Sequence, residues 1–153
     1  MLTFMWASQD KCFATAPAVL TNNGTIFTIT GGPIQILELL SVCTVTNVGT
    51  ATTLQYSTTP AVGTAKTISA SSGTLTTADA GATLLLVPTT LNTAPALVVS
   101  SAGGVQLGTP LSANHFIVLN GIITTVCGTI LSTARWYHCI RYRPLHPDAI
   151  ILG

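Results

Sequence analysis

"RWYHCIRYRPLH", residues 135–146, admits two readings, and the choice between them decides the fold. It holds Arg135, Arg141 and Arg143, three of the five Lys and Arg of the chain, beside Trp136, Tyr137 and Tyr142. Basic residues interleaved with aromatics can bind nucleic acid by phosphate neutralisation and base stacking. The same letters also spell a β-strand. Period-two alternation then sends Trp136, His138, Ile140 and Tyr142 to one face, and Arg135, Tyr137, Cys139, Arg141 and Arg143 to the other. The first face is a core stripe. On the second, the arginine stems can cover apolar surface while their guanidinium groups stay solvated or pair with carboxylates. A net charge of +1 gives no field that would draw in nucleic acid or an anionic membrane, so the strand reading is preferred. Its charged face is wet or set against another protein. Pro144 removes a ladder donor and ends the strand, so "LHPDAIILG" is expected to trail away, leaving residues 146–153 as a C-terminal tail.

Outward from this stretch, short β-prone runs are separated by turn residues at regular spacing, the pattern of an antiparallel sandwich or barrel. "TIFTIT" at 25–30 ends at Gly31, Gly32 and Pro33; "IQILELLSV" at 34–42 and "TVTNV" at 44–48 follow. "TTLQYSTT" at 52–59, "KTISA" at 66–70, "TLLLVP" at 83–88 and "ALVVS" at 96–100 continue the series. "HFIVL" and "IITTV" flank Asn120 and Gly121, a dipeptide that predicts a hairpin with a type I′ turn and positive φ at both residues. Helix evidence is poor, because β-branched residues, Gly and Pro recur, and "LTTADAGA" at 75–82 is too short to stand alone. The expected fold is an all-β antiparallel sandwich in a single domain over residues 21–145. Residues 1–20 mix Phe4, Trp6 and Phe13 with small residues and read equally as an extended arm docking on a neighbour or as an edge strand.

A chain of 153 residues can bury a real core, roughly 68–70% of its unfolded surface, without disulfides or metal. Charged residues are only 6% of the chain, against about 25% in ordinary soluble domains. Hydroxyls and methyls take their place, a composition suited to burial against partners rather than to a free monomer. A hydrophobic content of 48% and mean hydropathy of +0.61 contradict disorder. The apolar runs are far shorter than the ~18 residues of a membrane span. "MLTFMWASQDKCF" lacks a positive residue before its apolar section and is unlike a secretory signal, which points to a chain made in the cytoplasm.

Site chemistry is sparse. Cys12, Cys43, Cys127 and Cys139 show no paired metal-ligand spacing and are expected as free thiols, with no metal or cofactor. The four carboxylates, Asp10, Glu38, Asp79 and Asp148, form no obvious acid/base pair, and His115, His138 and His146 sit in no nucleophile motif. The glycine-rich pieces "ITGGP" and "SAGGVQLG" are turn chemistry with no helix to follow them. No catalytic residue is assigned and the chain reads as a non-enzyme. Glu38 interrupts an apolar strand and should either find an arginine, for which Arg141 and Arg143 are the candidates, or face outward at an interface.

The order of motifs resembles small structural proteins of tailed-bacteriophage virions. "FTITGGPIQILELLSV" at 27–42 places a Gly-Gly-Pro turn between two early strands; "HFIVLNGIITT" at 115–125 comes late; "RWYHCIRYRPL" at 135–145 closes with Tyr-x-Pro-Leu. The resemblance covers residues 25–145 loosely and leaves the first 20 unaccounted for. It implies a capsid decoration or cement protein, a jelly-roll-like sandwich that assembles as a homotrimer on the capsid surface and contacts the major capsid protein. Phe4, Trp6, Phe13, Arg135, Tyr137, Arg141 and Arg143 are the expected protein-interface residues. A head-fibre or tail component acting as a carbohydrate- or receptor-binding module is the alternative. Such a module should expose a tryptophan for sugar stacking, whereas Trp136 falls on the core face and Trp6 in the arm.

Overall fold

Gly, Pro and Asn cut the chain into β-branched segments, and a computed structural model describing residues 10–86, 96–98, 116–129 and 133–153 shows how they pair. The strands are Lys11–Ala14 (β1), Gly24–Thr30 (β2), Ile34–Val45 (β3), Leu54–Pro60 (β4), Lys66–Thr67 (β5), Thr83–Leu86 (β6), Ala96–Val98 (β7), Phe116–Val118 (β8), Gly121–Cys127 (β9), Arg135–Pro144 (β10) and Ile150–Leu152 (β11). All pairings are antiparallel. Sheet I runs β1-β10-β3-β6-β7, with β8 also on β3, and sheet II runs β11-β2-β9-β4-β5. The fold is an all-β sandwich. Its central eight strands, β1-β10-β3-β6 over β2-β9-β4-β5, have the nested Greek-key order of a jelly roll.

Alternation in these strands builds the core between the sheets. In β10, Trp136, His138, Ile140 and Tyr142 are buried while Arg135 is exposed and Tyr137, Arg141 and Arg143 are half-buried, the two faces expected for the opening stretch. β3 continues through Cys43 to Val45, joining two segments that the sequence suggests are separate. A bulge at Leu37 shifts the register, so that Glu38 faces Arg141 and Ile36 faces Tyr142. Residues 75–82, the one helix-like patch, form turns, and Asn47 organises them: its Nδ2 donates to the Leu75 carbonyl at 2.6 Å and its backbone N–H to that of Ala78 at 2.9 Å.

Two sequence expectations are corrected, and a third is decided between its two alternatives. The first is the Asn120–Gly121 hairpin. β8 pairs with β3 in sheet I, whereas β9 pairs with β2 and β4 in sheet II, so the dipeptide carries the chain from one sheet to the other. Asn23 is the one non-glycine with positive φ among the described residues, so Asn120 does not adopt the type I′ conformation. Gly121 is still required, with φ of 153° and a hypothetical Cβ meeting the Thr59 carbonyl and lying 2.7 Å from Pro60 Cα.

The second correction is the C-terminal tail. Ile150–Leu152 adds to the edge of β2, and Ala149 and Ile151 are buried. The connection from β10 presses on the Gly-Gly-Pro turn, where a Cβ on Gly31 would meet the Asp148 backbone. The third concerns the arm. Residues 11–14 form an edge strand on β10, Ala18 bridges Trp136, and Leu20 is fully buried. Within the described part of the N-terminal 20 residues, the edge-strand alternative therefore holds.

Ile151→Ala is expected to lower the unfolding free energy by about 2–5 kcal/mol, as for other buried aliphatic truncations. Leu152→Ala, whose side chain points outward, should change it by less than about 0.5 kcal/mol. Urea titration of both variants checks the pair; equal small effects would mean that the segment does not pack. Gly121→Ala should cost about 1–3 kcal/mol in the same assay, from backbone strain and displacement of Pro60.

Candidate functional site

The outer face of sheet I gathers most of the chain's sparse charge. Strand register sets Glu38 opposite Arg141, and the carboxylate lies 3.7 Å from the guanidinium. Arg143 reaches Asp10 just before β1, with both Nε and Nη2 at 3.0 Å from the same oxygen. Arg135 at the opposite end of β10 is exposed, and its carbonyl accepts a hydrogen bond from Thr44 Oγ1. Both pairs are part-exposed and screened by water, so they orient side chains more than they stabilise the fold. Cys139 faces outward in the same row as Leu40, and its thiol is pushed up by burial, then by Cys12 and Glu38.

The inner face of the same ladder carries a buried polar chain. Ser41 on β3 and His138 on β10 are register partners, and Tyr56 reaches them from β4 in sheet II. Ser41 Oγ lies 2.6 Å from His138 Nδ1 and 2.5 Å from Tyr56 OH. A serine hydroxyl can donate to one neighbour and accept from the other, so this one side chain ties the two sheets together across the core. Burial pushes His138 down to about 4 and pushes the Tyr56 phenol up, which keeps both neutral. A serine beside a histidine has the pairing of a nucleophile and its base. Here, however, the serine is 0% exposed, so a substrate has no path to it and the cluster acts as a structural tie.

At the far edge of the sandwich, β8 and the β4–β5 pair part to leave a cleft of about 460 Å³. Ile68, Phe116, Ile117, Val118 and Leu119 line it, with Lys66 at its margin. Among the described residues, no group of three His, Cys, Asp or Glu is placed to hold a metal ion. Cys12 is exposed, Cys139 half-buried, and Cys43 and Cys127 buried, and all four are free thiols.

Of the interface residues expected from sequence, Arg135, Tyr137, Arg141 and Arg143 lie together on the outer face of β10. Phe13 lies elsewhere, packing edge-on against Phe27 with ring centroids 6.1 Å apart and touching the core. Phe4 and Trp6 lie outside the described residues. Glu38 pairs with Arg141, the first of its two candidate cations, while Arg143 takes Asp10. Sequence reasoning placed His138 on the core face but missed Ser41 and Tyr56. The available signal was the alternation that turns each of them inward, although nothing local indicates that they meet.

The pH dependence of stability follows from the His138 shift. With a folded value of about 4 against 6.5 in the unfolded chain, only the unfolded state takes up a proton as pH falls from 6.5 towards 4. Stability is therefore full above about pH 6.5 and declines by about 3 kcal/mol down to pH 4. Urea midpoints of wild type and His138→Gln across this range check it, with the variant expected to lose that part of the slope. Comparison with protein family models, curated proteins and solved structures finds no match to this chain.

Proposed function

We propose that this chain is a non-enzymatic structural protein of a tailed-bacteriophage virion, a decoration or cement subunit that assembles as a homotrimer on the capsid and bridges major capsid subunits. The observation that carries the reading is a jelly-roll sandwich with only 6% charged residues and large apolar side chains left in water. Val62 is 91% exposed and Ile117 65%. Such a surface is a liability for a free monomer and gains by burial against neighbours. Weak contacts to a capsid would add through multivalency in a symmetric assembly. The alternative of a sugar-stacking receptor module is disfavoured by Trp136, which is fully buried and cannot offer its ring to a ligand.

Purified particles should contain the chain in stoichiometric amounts by quantitative mass spectrometry. Particles stripped of it should lose their genome at a lower temperature and recover when the recombinant chain is added back. A stable monomer that never associates with particles would overturn the cement reading.

A further inference from the structure

The two outer faces of the sandwich differ in charge. On sheet I, β10 and β3 contribute Arg135, Arg141, Arg143 and Glu38. Across the five strands of sheet II the sole charged residue is Lys66, in the two-residue edge strand β5, where it borders the cleft. The register aligns the outward side chains of sheet II in rows. One row reads Leu152, Thr28, Ile122, Thr59. The next reads Thr25, Thr124, Ser57, Thr67, on four adjacent strands: Thr25 and Thr67 are exposed, Ser57 is half-buried with its hydroxyl donating to the Lys66 carbonyl, and Thr124 is buried. Ile150 and Leu152, 43% and 50% exposed, add apolar surface at the β11 end.

We propose that the outer face of sheet II is the surface through which two copies of this chain pack face to face about a twofold axis, a contact additional to the heterologous one that closes the proposed trimer. The inference rests on the reading of the chain as an assembly subunit and identifies the surface responsible. A solvated antiparallel face ordinarily mixes charged side chains among its outward positions, which this one does not. The occupant follows from chemistry. A hydroxyl both donates and accepts, so two copies of one hydroxyl-rich face can satisfy each other, whereas an ammonium or carboxylate face cannot pair with itself. The arginine-bearing face of sheet I would bring like charges together across a symmetry axis. Thr and Ser also lose little rotamer freedom when immobilised, unlike Lys or Glu. Three strands of seven residues, one of three and one of two, at about 3.4 Å per residue and 4.8 Å between strands, give a footprint of roughly 420 Å² before side-chain relief is counted. That is about half of the roughly 800 Å² that each partner buries in a specific interface, side-chain relief and the flanking turns making up the remainder.

The test is the solution mass of the full chain by sedimentation equilibrium, compared with Thr25→Lys, Ser57→Lys and, on sheet I, the exposed Thr44→Lys. Thr25 is exposed and tolerates lysine in the folded subunit, which keeps the test valid if the half-buried Ser57 variant folds poorly; circular dichroism monitors both. The wild type should sediment as a multiple of 15.8 kDa. Each lysine should weaken association at least about tenfold, because symmetry places like charges at one buried contact. Thr44→Lys should leave the mass unchanged. Wild-type mass in a folded Thr25→Lys variant, or dissociation by Thr44→Lys alone, would overturn the assignment to sheet II while leaving the proposed function standing. A wild-type monomer retained on particles would likewise overturn only this inference, whereas a monomer that particles do not retain would overturn both.

Discussion

The antiparallel ladder between β3 and β10 is the constraint on which the rest of the structure depends. It joins residues 34–45 to residues 135–144, about two thirds of the chain apart, and forms the centre of sheet I. β1 hangs on the free side of β10, while β6 and β8 share the far side of β3. Every strand of this sheet thus owes its position to one long-range pairing. Such pairing must meet a loop-closure cost before contacts repay it, which places the fold among the slower topologies to form.

The two faces of that ladder do different chemistry. Inward, Trp136 and Ile140 sit in the apolar core, and the Ser41 hydroxyl reaches across to Tyr56. A polar group buried without a partner would cost more than the same volume of hydrocarbon, so this chain of hydrogen bonds favours one alignment of the sheets over its neighbours. Not every buried polar atom is satisfied: Trp136 Nε1 and Asn47 Oδ1 have no partner. Outward, the Glu38–Arg141 pair shows how a carboxylate inside a leucine-rich strand is accommodated, by facing water and the adjacent strand's cation. The contrast between this charged face and the hydroxyl-rich face of sheet II gives the sandwich a polarity that a symmetric assembly can exploit.

The all-β class, most strand positions and the two faces of residues 135–143 were legible in the amino-acid sequence. Each is set by atoms close in the chain. Branching at Cβ favours extended backbone, Gly and Pro interrupt it, and a pleat turns successive side chains to opposite faces. The need of Glu38 for an arginine was legible for the same reason, since a lone carboxylate among leucines has few ways to avoid desolvation. Partner choice was not local. Asn120–Gly121 carries a strong hairpin signal, yet β8 pairs with β3 in one sheet and β9 with β2 and β4 in the other. Residues 150–152 look like a tail after a proline but find the unpaired edge of β2, and Phe13 finds Phe27. Ser41, Tyr56 and His138 are each ordinary in sequence and become a cluster only when two sheets meet. Local sterics determined what each segment is, and the burial of surface between distant segments, which only the tertiary structure can arrange, determined what each one touches.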